Sequence, residues 1–392
     1  MTAEGRLLKL CDQLLADVDP RSVGPEPFLG EQYDRGLAWV HFPPGYGGLG
    51  LSPHLQRSVE RRLRDGGAPN AMARNLLGHG MGAPTVATHG TDEQKRRYLR
   101  PLFTAAEIWC QMFSEPGAGS DVAGLATRAR RDGDEWVING QKVWTTLAHV
   151  AKRGMLAVRT DPEAPKHRGL TYFVLDMSSP GVEVRPLFQI TGEAEFNEVY
   201  LTEVRVPDAD RVGDIGDGWR VMLTTLMNER VAIGGAAPPR GSGLIGDAVA
   251  LWKRHGDGNA VLRDRLTRLW ASAEASRLTN LRASQLRKVG NPGPEGSIGK
   301  IRAAELNKSI TEFMVDVLGA AGMLKPGGYP MARSDQAMHW TDPYQGFLRA
   351  RANSIEGGTT EIAKNILGER VLGLPGDVRV DKDVPWSQVP RG

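Results

Sequence analysis

The apolar positions of the first hundred residues follow the period of a helix. Leu7, Leu8, Leu14 and Leu15 have the spacing of one face of a helix, which we predict over residues 4–18. Thr91 and Gln94 stand at the spacing of a capping box, which predicts that a further helix begins there and ends near Pro101. The N-terminal part of the chain is therefore expected to be helical.

From about residue 109 the pattern changes to short apolar runs typical of strands. The dipeptide Asp132-Gly133 separates two of these runs and predicts a hairpin. The connections between the runs are too short for crossover helices, so we expect an antiparallel sheet. The predicted strands cover residues 108–113, 125–131, 135–139, 143–146, 154–159, 170–175, 182–187 and 198–206.

Helical spacing returns after Gly218 and continues almost to the end of the chain. The predicted helices there cover residues 219–235, 247–255, 261–289, 297–318, 335–353 and 359–372. The tail after Pro375 is polar and rich in proline, and we expect it to be loosely held. The order of helices, strands and helices predicts an α+β multidomain protein rather than a doubly wound sheet, with domains at 1–108, 109–214 and 215–392.

Charge and composition narrow the function classes. The 392 residues carry 49 Lys and Arg against 46 Asp and Glu, a formal charge of +3, which argues against a nucleic-acid binder. We expect no membrane span because no run of eighteen apolar residues occurs, and a cytoplasmic protein because the N-terminus lacks a secretory pattern. Cys11, Cys110 and the eight histidines show no ligand spacing, so neither a disulfide nor a metal site is expected.

Residues 45–50, GYGGLG, match the glycine fingerprint of dinucleotide-binding folds. That fingerprint needs a strand before it and a helix that begins within it. Here Pro43 and Pro44 precede the glycines, inside a helical region. We therefore predict a tight loop.

Residues 113–121, FSEPGAGSD, join two predicted strands. Three small residues in a row, Gly117 to Gly119, leave backbone N–H groups accessible, which suits phosphate or another anion. An ordinary surface turn is the alternative interpretation. Trp144, followed by Thr145 and Thr146, offers an aromatic plane and two hydroxyls to a flat heterocycle, although a buried tryptophan among strand-forming threonines explains the pattern equally well.

Two segments of the C-terminal half carry further candidate chemistry. Residues 355–362, IEGGTTEI, place two glycines before a helix that Thr359 can cap, and such a helix N-terminus can hold an anion. A capped turn between helices is the alternative. Glu229 is a carboxylate in a mostly apolar helical segment; it is either exposed or paired, or, if buried, able to act as a base.

Together these segments resemble the acyl-CoA dehydrogenase family. The resemblance covers residues 43–374, and its markers are residues 44–50, 90–95, 114–121, 139–146 and 356–362. It implies an N-terminal helical domain, a middle antiparallel β-barrel and a C-terminal four-helix bundle. It also implies FAD bound between these domains, usually in a homotetramer.

The resemblance implies a reaction as well. Family members oxidise an acyl-CoA to the trans-2-enoyl-CoA: a Glu carboxylate takes the α-proton and the β-hydrogen leaves as hydride to flavin N5. By match, the backbone N–H of Gly357 donates to the thioester oxygen and stabilises the enolate-like charge. Electron-transfer flavoprotein is the expected acceptor. An acyl-CoA oxidase, or a dehydrogenase of acyl groups tethered to a carrier protein, is the alternative on the same fold.

Glu229 and Glu356 are the two candidates for the base. Most family members carry a Glu two residues before the Thr of the last motif, where this chain has Gly357, and Glu356 falls one residue early. In isovaleryl-CoA and long-chain acyl-CoA dehydrogenases the base lies on the first helix of the C-terminal domain, directly before an Arg. Glu229 matches that position, followed by Arg230, so we predict Glu229 as the base. A base there leaves room for a branched or bulky acyl group.

The resemblance places eight further residues in the cofactor site. They are Phe113, Ser114, Gly119, Ser120, Trp144, Thr146, Thr359 and Glu361. The first four are expected to face the flavin and the diphosphate or the CoA arm. The next two are expected to pack against the isoalloxazine and hydrogen-bond it, and the last two to contact the phosphate and adenosine side.

The chain departs from the family pattern at two places. Residues 252–256, WKRHG, lack the Phe-Gly of the usual Arg-x-x-Phe-Gly, and Asp316 stands where many members have a Gln that reaches the FAD of a neighbouring subunit. A carboxylate near a diphosphate repels it. These departures resemble actinobacterial relatives that act on steroid side chains as α2β2 assemblies with fewer flavin sites. A homotetramer, an α2β2 assembly and a flavin-poor structural subunit therefore stay open.

Overall fold

The computed structural model describes residues 2–234, 238–286, 295–325, 328, 331–333, 342–376, 378 and 381–390, without the side chains of residues 229–234 and 295. The chain divides into two units. The first comprises Met1–Pro186, Phe196–Asn228 and Val380–Gly392, and the second comprises Leu187–Glu195 and Glu229–Arg379.

The N-terminal part of the first unit is helical, as expected. Its helices are α1 (Ala3–Asp17), α2 (Pro25–Asp34), α3 (Gln56–Asp65), α4 (Ala71–Arg74), α5 (Ala83–His89) and α6 (Asp92–Thr104). The capping box of α6 is confirmed, since Thr91 and Gln94 exchange two hydrogen bonds. The predicted end near Pro101 is wrong. Pro101 lies inside α6, because the buried Leu102 and Phe103 hold the last turn against the core.

The glycine segment at residues 45–50 is a tight loop, as predicted. The Ala38 and Trp39 N–H groups both donate to the carbonyl of Gly47. A Cβ atom at Gly48 would lie 2.1 Å from the Phe42 carbonyl oxygen. The glycines thus serve close packing of the backbone.

A sheet follows the helices. Its strands are β1 (Trp109–Met112), β2 (Arg128–Asp132), β3 (Glu135–Thr146), β4 (Arg153–Arg159), β5 (Leu170–Asp176), β6 (Val182–Pro186), β7 (Phe196–Pro207) and β8 (Arg211–Val212), paired in the order β6-β7-β3-β2-β4-β5-β8. The β2–β3 hairpin is confirmed, with Gly133 in the left-handed region at φ 64°. We did not predict the short strand β8, because two residues are too few to show an alternating pattern.

The sheet is mixed, so the prediction of an antiparallel barrel is wrong in part. β1 runs parallel to β4, and β2 meets β4 in parallel where Arg128 faces Arg159. β1 and β2 therefore follow one another along one edge of β4, and residues 113–127 leave the sheet between them. We excluded parallel pairs because no connection is long enough for a crossover helix, but the β2–β3 hairpin and its loops make the crossover instead. Over the described strands, the sheet forms a half-barrel whose end strands, β6 and β8, do not pair with each other.

The central strands are buried on both faces. Along β4, Met155 and Ala157 belong to the core that the sheet shares with the N-terminal helices. Leu156 and Val158 point to the opposite face and pack in a second core. This alternation with a period of two explains why β4 is almost entirely apolar in sequence.

The C-terminal part is helical again. Its helices are α7 (Gly218–Gly234), α8 (Leu244–His255), α9 (Ala260–Leu286), α10 (Glu295–Leu318), α11 (Pro343–Ala350) and α12 (Thr360–Arg370). Residues such as Ile245, Leu266 and Phe313 form a shared core of α8, α9 and α10. The predictions for 235, 287–289 and 335–341 lie outside the described residues. No helix in the described ranges is long and apolar enough to cross a bilayer.

Residues 381–390 of the tail are held in place, contrary to our expectation of a loosely held tail. Residues 381–390, which we call the C-terminal strap, belong to the first unit. The Trp386 indole N–H donates to the Gly124 carbonyl at 3.1 Å, and the Arg159 guanidinium lies 4.3 Å from the centre of the ring. One tryptophan therefore anchors a segment whose composition resembles that of a disordered tail.

Candidate functional site

The glycine-rich loop, residues 114–121, begins directly after β1 and its neighbour Phe113. Glu115 and Ala118 exchange backbone hydrogen bonds at 3.1 and 3.0 Å, which closes a tight turn. Gly117 and Gly119 are exposed, and a Cβ atom at either would meet nothing within 4 Å. The loop therefore has space beside its backbone for a ligand to approach closely.

A buried ion pair fixes the first end of this loop. Lys142 on β3 is fully buried and donates to the Glu115 carboxylate at 2.8 Å and to the Phe113 carbonyl at 3.1 Å. The same carboxylate accepts from the backbone N–H groups of Ala126 and Thr127, at 2.6 and 2.9 Å. Burial works to raise the pKa of Glu115, but Lys142 and these donors outweigh it and hold the pKa below its usual value. We did not predict this pair, because the sequence gives no sign that either residue is buried.

Trp144 stands out from the sheet. The β3–β7 register shifts between Lys142 and Thr145, and Trp144 takes a left-handed backbone at φ 59°. Its side chain is 57% exposed and meets the Phe196 ring edge-on at 5.9 Å between ring centres. The structure thus contradicts the alternative of a buried tryptophan. A bulky residue in this conformation costs about 1–3 kcal/mol, which is typical of functional sites.

Phe113 lies behind the glycine-rich loop, in the core. Its ring meets that of Tyr172 edge-on at 5.9 Å. The Tyr172 hydroxyl reaches Thr225 on α7 at 3.4 Å, and Thr225 is 2.9 Å from the hydroxyl of Thr85. The first turns of α7 are thereby tied to the sheet and the helices of the first unit.

Glu229 lies one helical turn beyond Thr225 along α7. Its backbone belongs to the second unit, and its side chain lies outside the described residues. The same unit contains Glu356, Gly357, Thr359 and Glu361, whereas the other candidate cofactor contacts belong to the first unit.

Glu356 is bound by cationic and amide donors. Both terminal nitrogens of Arg349 donate to its carboxylate, at 3.0 and 2.7 Å, and the Asn353 side-chain amide donates at 2.6 Å. Arg349 is 4% exposed and also lies 3.6 Å from Glu195, which is 2% exposed. Ion pairing outweighs burial and raises the pKa of Arg349. The Glu356 carboxylate thus accepts from three donors, two on Arg349 and one on Asn353.

The segment after Glu356 forms a capped helix start. Gly357 and Gly358 both have left-handed backbones, at φ 63° and 92°, and Thr359 accepts from the Ile362 N–H at 3.2 Å, so the predicted N-cap is confirmed. The residues that line a shallow cavity here include Gly357, Gly358, Thr359 and Lys300 of α10. The Lys300 ammonium donates to the Asn353 carbonyl at 2.6 Å.

Asp316 is engaged in an ion pair. Its carboxylate accepts from Arg265 of α9, and the Arg265 guanidinium lies 5.9 Å from the centre of the Phe313 ring. Both members of the pair are partly exposed. The negative charge that we expected to repel a diphosphate is thus balanced locally.

Family models match the chain in three consecutive segments. The model "Acyl-CoA dehydrogenase, N-terminal domain" matches residues 9–106, the "middle domain" model matches 110–204, and the "C-terminal domain" model matches 216–372. The chain belongs to the acyl-CoA dehydrogenase family. The predicted family is confirmed, as is a three-domain fold with helical N- and C-terminal domains and a sheet in the middle domain.

Curated relatives of this acyl-CoA dehydrogenase occur in Mycobacterium tuberculosis. "Acyl-CoA dehydrogenase FadE34" is 39% identical over 87% of the chain, and the match spans 45% of that relative, less than half its length. "Acyl-CoA dehydrogenase IpdE1" is 38% identical over 88% of the chain and 86% of the relative. Among solved structures, "Tcur3481-Tcur3483 steroid ACAD" is 29% identical, with a TM-score of 0.72 over 95% of this chain and 97% of that one.

Family membership confirms two further predictions: the protein is an oxidoreductase of the acyl-CoA dehydrogenase class, and the family's cofactor is FAD. The described residues fit such a group. Trp144 offers an exposed aromatic face, and the glycine-rich loop offers open backbone at Gly117 and Gly119. An exposed ring and unobstructed N–H groups suit a flat heterocycle that carries phosphates.

Proposed function

We propose that this protein is an FAD-dependent acyl-CoA dehydrogenase that converts a bulky acyl-CoA thioester to the trans-2-enoyl-CoA. The observation that carries the proposal is the succession of the three family models along the chain, in the family's order. Each proposed site residue lies on a matched segment. The proposed domain boundaries remain 1–108, 109–214 and 215–392, with a four-helix bundle in the last.

The chain's own residues would hold the cofactor at two places. Trp144 and Thr146 would pack on and hydrogen-bond the isoalloxazine, with Phe113 and Ser114 beside it. The second place is the start of α12, where Thr359 and Glu361 would meet the phosphate and adenosine side. Bound FAD supplies the acceptor for the substrate's β-hydrogen, which leaves as hydride.

Glu229 is the proposed base that takes the α-proton. Support comes from the surroundings of Glu356, whose carboxylate is bound by Arg349 and Asn353. With both oxygens engaged by these donors, the Glu356 carboxylate is less available to a substrate proton than an unengaged carboxylate. Glu356 would then be a structural residue that shapes the segment before Gly357, whose N–H would donate to the thioester oxygen as negative charge develops there.

The proposed acyl group is large. The steroid ACAD structure is similar over almost the full length of the chain. A base on α7 leaves the last motif free of a catalytic side chain, which makes room for a branched or polycyclic group. The proposed electron acceptor is electron-transfer flavoprotein, and slow reaction of the reduced protein with oxygen would separate this function from an acyl-CoA oxidase.

A flavin-poor subunit of a mixed α2β2 assembly is the second candidate. Asp316 favours it, because a side chain engaged by Arg265 stands where many family members have a Gln that reaches a neighbour's FAD. The name of the similar structure, "Tcur3481-Tcur3483 steroid ACAD", joins two proteins, which is compatible with a two-chain assembly. A homotetramer is the other proposed assembly.

The visible absorbance spectrum of the chain purified alone tests the proposal. We expect a flavin spectrum near one FAD per chain, bleached without oxygen by CoA thioesters with bulky acyl groups. A colourless protein that gains flavin only with a second chain would support the mixed assembly. A flavin-loaded protein that no acyl-CoA bleaches would contradict the proposed reaction.

A further inference from the structure

The C-terminal strap contacts the far end of the glycine-rich loop. That end continues into residues 122–125. The Trp386 indole N–H donates to the Gly124 carbonyl at 3.1 Å. Arg159 donates to the carbonyls on either side, to Ala123 at 2.6 Å and to Leu125 at 3.1 Å. Three consecutive carbonyls are thus bound by two side chains that also touch each other.

The contact between these two side chains is a cation–π interaction. The Arg159 guanidinium lies 4.3 Å from the centre of the Trp386 ring and is 2% exposed. Its remaining terminal nitrogen donates to the Lys166 carbonyl at 3.2 Å. Trp386 therefore covers the face of a buried cation that holds the loop end, and a desolvated contact of this kind is stronger than an exposed one.

A second contact joins the strap to the loop itself. The Lys166 ammonium binds both carboxylate oxygens of Asp121 at 2.9 Å and the Asp381 carboxylate at 2.5 Å. Backbone hydrogen bonds from Trp386 to Ala164 and from Ser387 to Pro162 fix the strap beside Lys166. The last residue of the loop and the first residue of the strap therefore share one lysine.

We propose that the C-terminal strap, through Trp386, is a positioning element that orders the glycine-rich loop for a diphosphate-bearing ligand. The inference rests on the proposed function, in which FAD and acyl-CoA both carry a diphosphate. Gly117 and Gly119 lose more conformational freedom on ordering than other residues, so a loop fixed in advance binds more tightly. The Glu115–Lys142 pair fixes one end of the loop and the strap fixes the other.

The test compares Trp386→Ala, Trp386→Phe and, as a matched control on the same strap, Ser387→Ala. Ser387 is exposed, and its contact with Pro162 is made by the backbone. Hydrogen exchange of residues 117–125 is measured in the apoprotein, and FAD and free CoA are titrated separately to separate the two sources of diphosphate. Steady-state kcat and KM for an acyl-CoA are measured on the flavin-loaded protein.

We expect Trp386→Ala to speed exchange in the loop and to weaken the binding of FAD, of CoA or of both about tenfold. The kcat of flavin-loaded protein should stay within about twofold, because the proposed role of the strap is in binding and not in proton or hydride transfer. Trp386→Phe keeps a ring over Arg159 but lacks the N–H donor, so it should recover part of the loss. Ser387→Ala should match the original protein.

Faster loop exchange with unchanged FAD and CoA binding would reduce the strap to a structural role and overturn the inference. Unchanged exchange in Trp386→Ala would overturn it as well. If the original protein bound neither FAD nor CoA, the proposed function would fail first, and the exchange measurement would still show whether the strap orders the loop.

Discussion

Arg349 binds the carboxylate of Glu356 through both of its terminal nitrogens, at 3.0 and 2.7 Å. The pair is tied further to Asn353, which donates to the same carboxylate and accepts from Asn307 of α10. A carboxylate within the last family motif is thus part of a structural network. This relationship shifts the search for the catalytic base to Glu229.

Glu356→Gln should affect stability more than catalysis. The amide loses the charge that Arg349 binds, which we expect to lower the free energy of unfolding by roughly 1–3 kcal/mol. Reduction of the bound flavin by substrate should stay within about tenfold of the original rate. Urea unfolding and rapid-mixing kinetics check the two effects. Glu305→Gln, in an exposed pair with Lys308 on α10, is the control and should cost at most about 1 kcal/mol.

Trp144→Gly should lower the affinity for FAD and at the same time remove strain from the backbone at this position. The left-handed backbone at φ 59° suits glycine, so this change relieves about 1 kcal/mol of strain and offsets part of the lost contact with Phe196. FAD content should fall sharply, because the exposed ring is the proposed platform for the isoalloxazine. Ala105→Gly, at the left-handed end of α6, should gain stability without losing flavin. Full FAD content in Trp144→Gly would refute the platform.

The buried Glu115–Lys142 pair should show strong coupling. Lys142→Met leaves the Glu115 carboxylate buried without its cation, which we expect to cost about 3–5 kcal/mol of unfolding free energy. Adding Glu115→Gln removes the unpaired charge, so the double variant should be more stable than Lys142→Met alone. Urea unfolding of the original protein, of Lys142→Met, of Glu115→Gln and of the double variant gives the coupling energy. Additive losses would mean that the pair contributes no specific interaction.

His79 should make stability depend on pH. It is buried against Trp39 and Phe103, and burial lowers its pKa from 6.5 to about 4, although a hydrogen bond to the Phe103 carbonyl opposes the shift. At pH values between these two pKa values, His79 binds a proton more readily in the unfolded chain than in the folded one. Stability should therefore fall as the pH falls from 6.5 to 4, by about 3 kcal/mol in all.

Unfolding measured across this pH range checks the role of His79. His79→Asn should remove that part of the pH dependence, whereas a variant of the exposed His54 should keep it. An unchanged slope in His79→Asn would assign the acid sensitivity to other groups.

The sequence predicted those helices and strands whose apolar residues recur with a clear period. It did not predict features that depend on contacts between residues far apart in the chain. The capping box of Thr91 and Gln94 is local and was confirmed. Pro101 did not end α6, because burial of the following turn outweighs one missing hydrogen bond. The parallel pairing of β1 with β4 depends on which strands meet, and hydrophobic spacing carries no such information.

The polar contacts of the candidate site were the least predictable. In the sequence, Lys142 and Glu115 look like solvent-exposed residues. In the structure they form a buried ion pair with each other, although they lie 27 positions apart in the chain. Trp386 contacts Gly124 across 262 positions, and nothing in a proline-rich tail indicates that contact. The family motifs gave the positions of candidate residues, while the ion pair of Glu356 could be seen only in the folded chain.

The most direct test of the account is reduction of the bound flavin by a bulky acyl-CoA in Glu229→Gln, measured without oxygen beside the original protein and Glu356→Gln. We predict that Glu229→Gln keeps its flavin spectrum and loses about two to four orders of magnitude in reduction rate, as expected for removal of a general base. Glu356→Gln should still bleach. Rapid bleaching of Glu229→Gln together with a silent Glu356→Gln would contradict the account and make Glu356 the base.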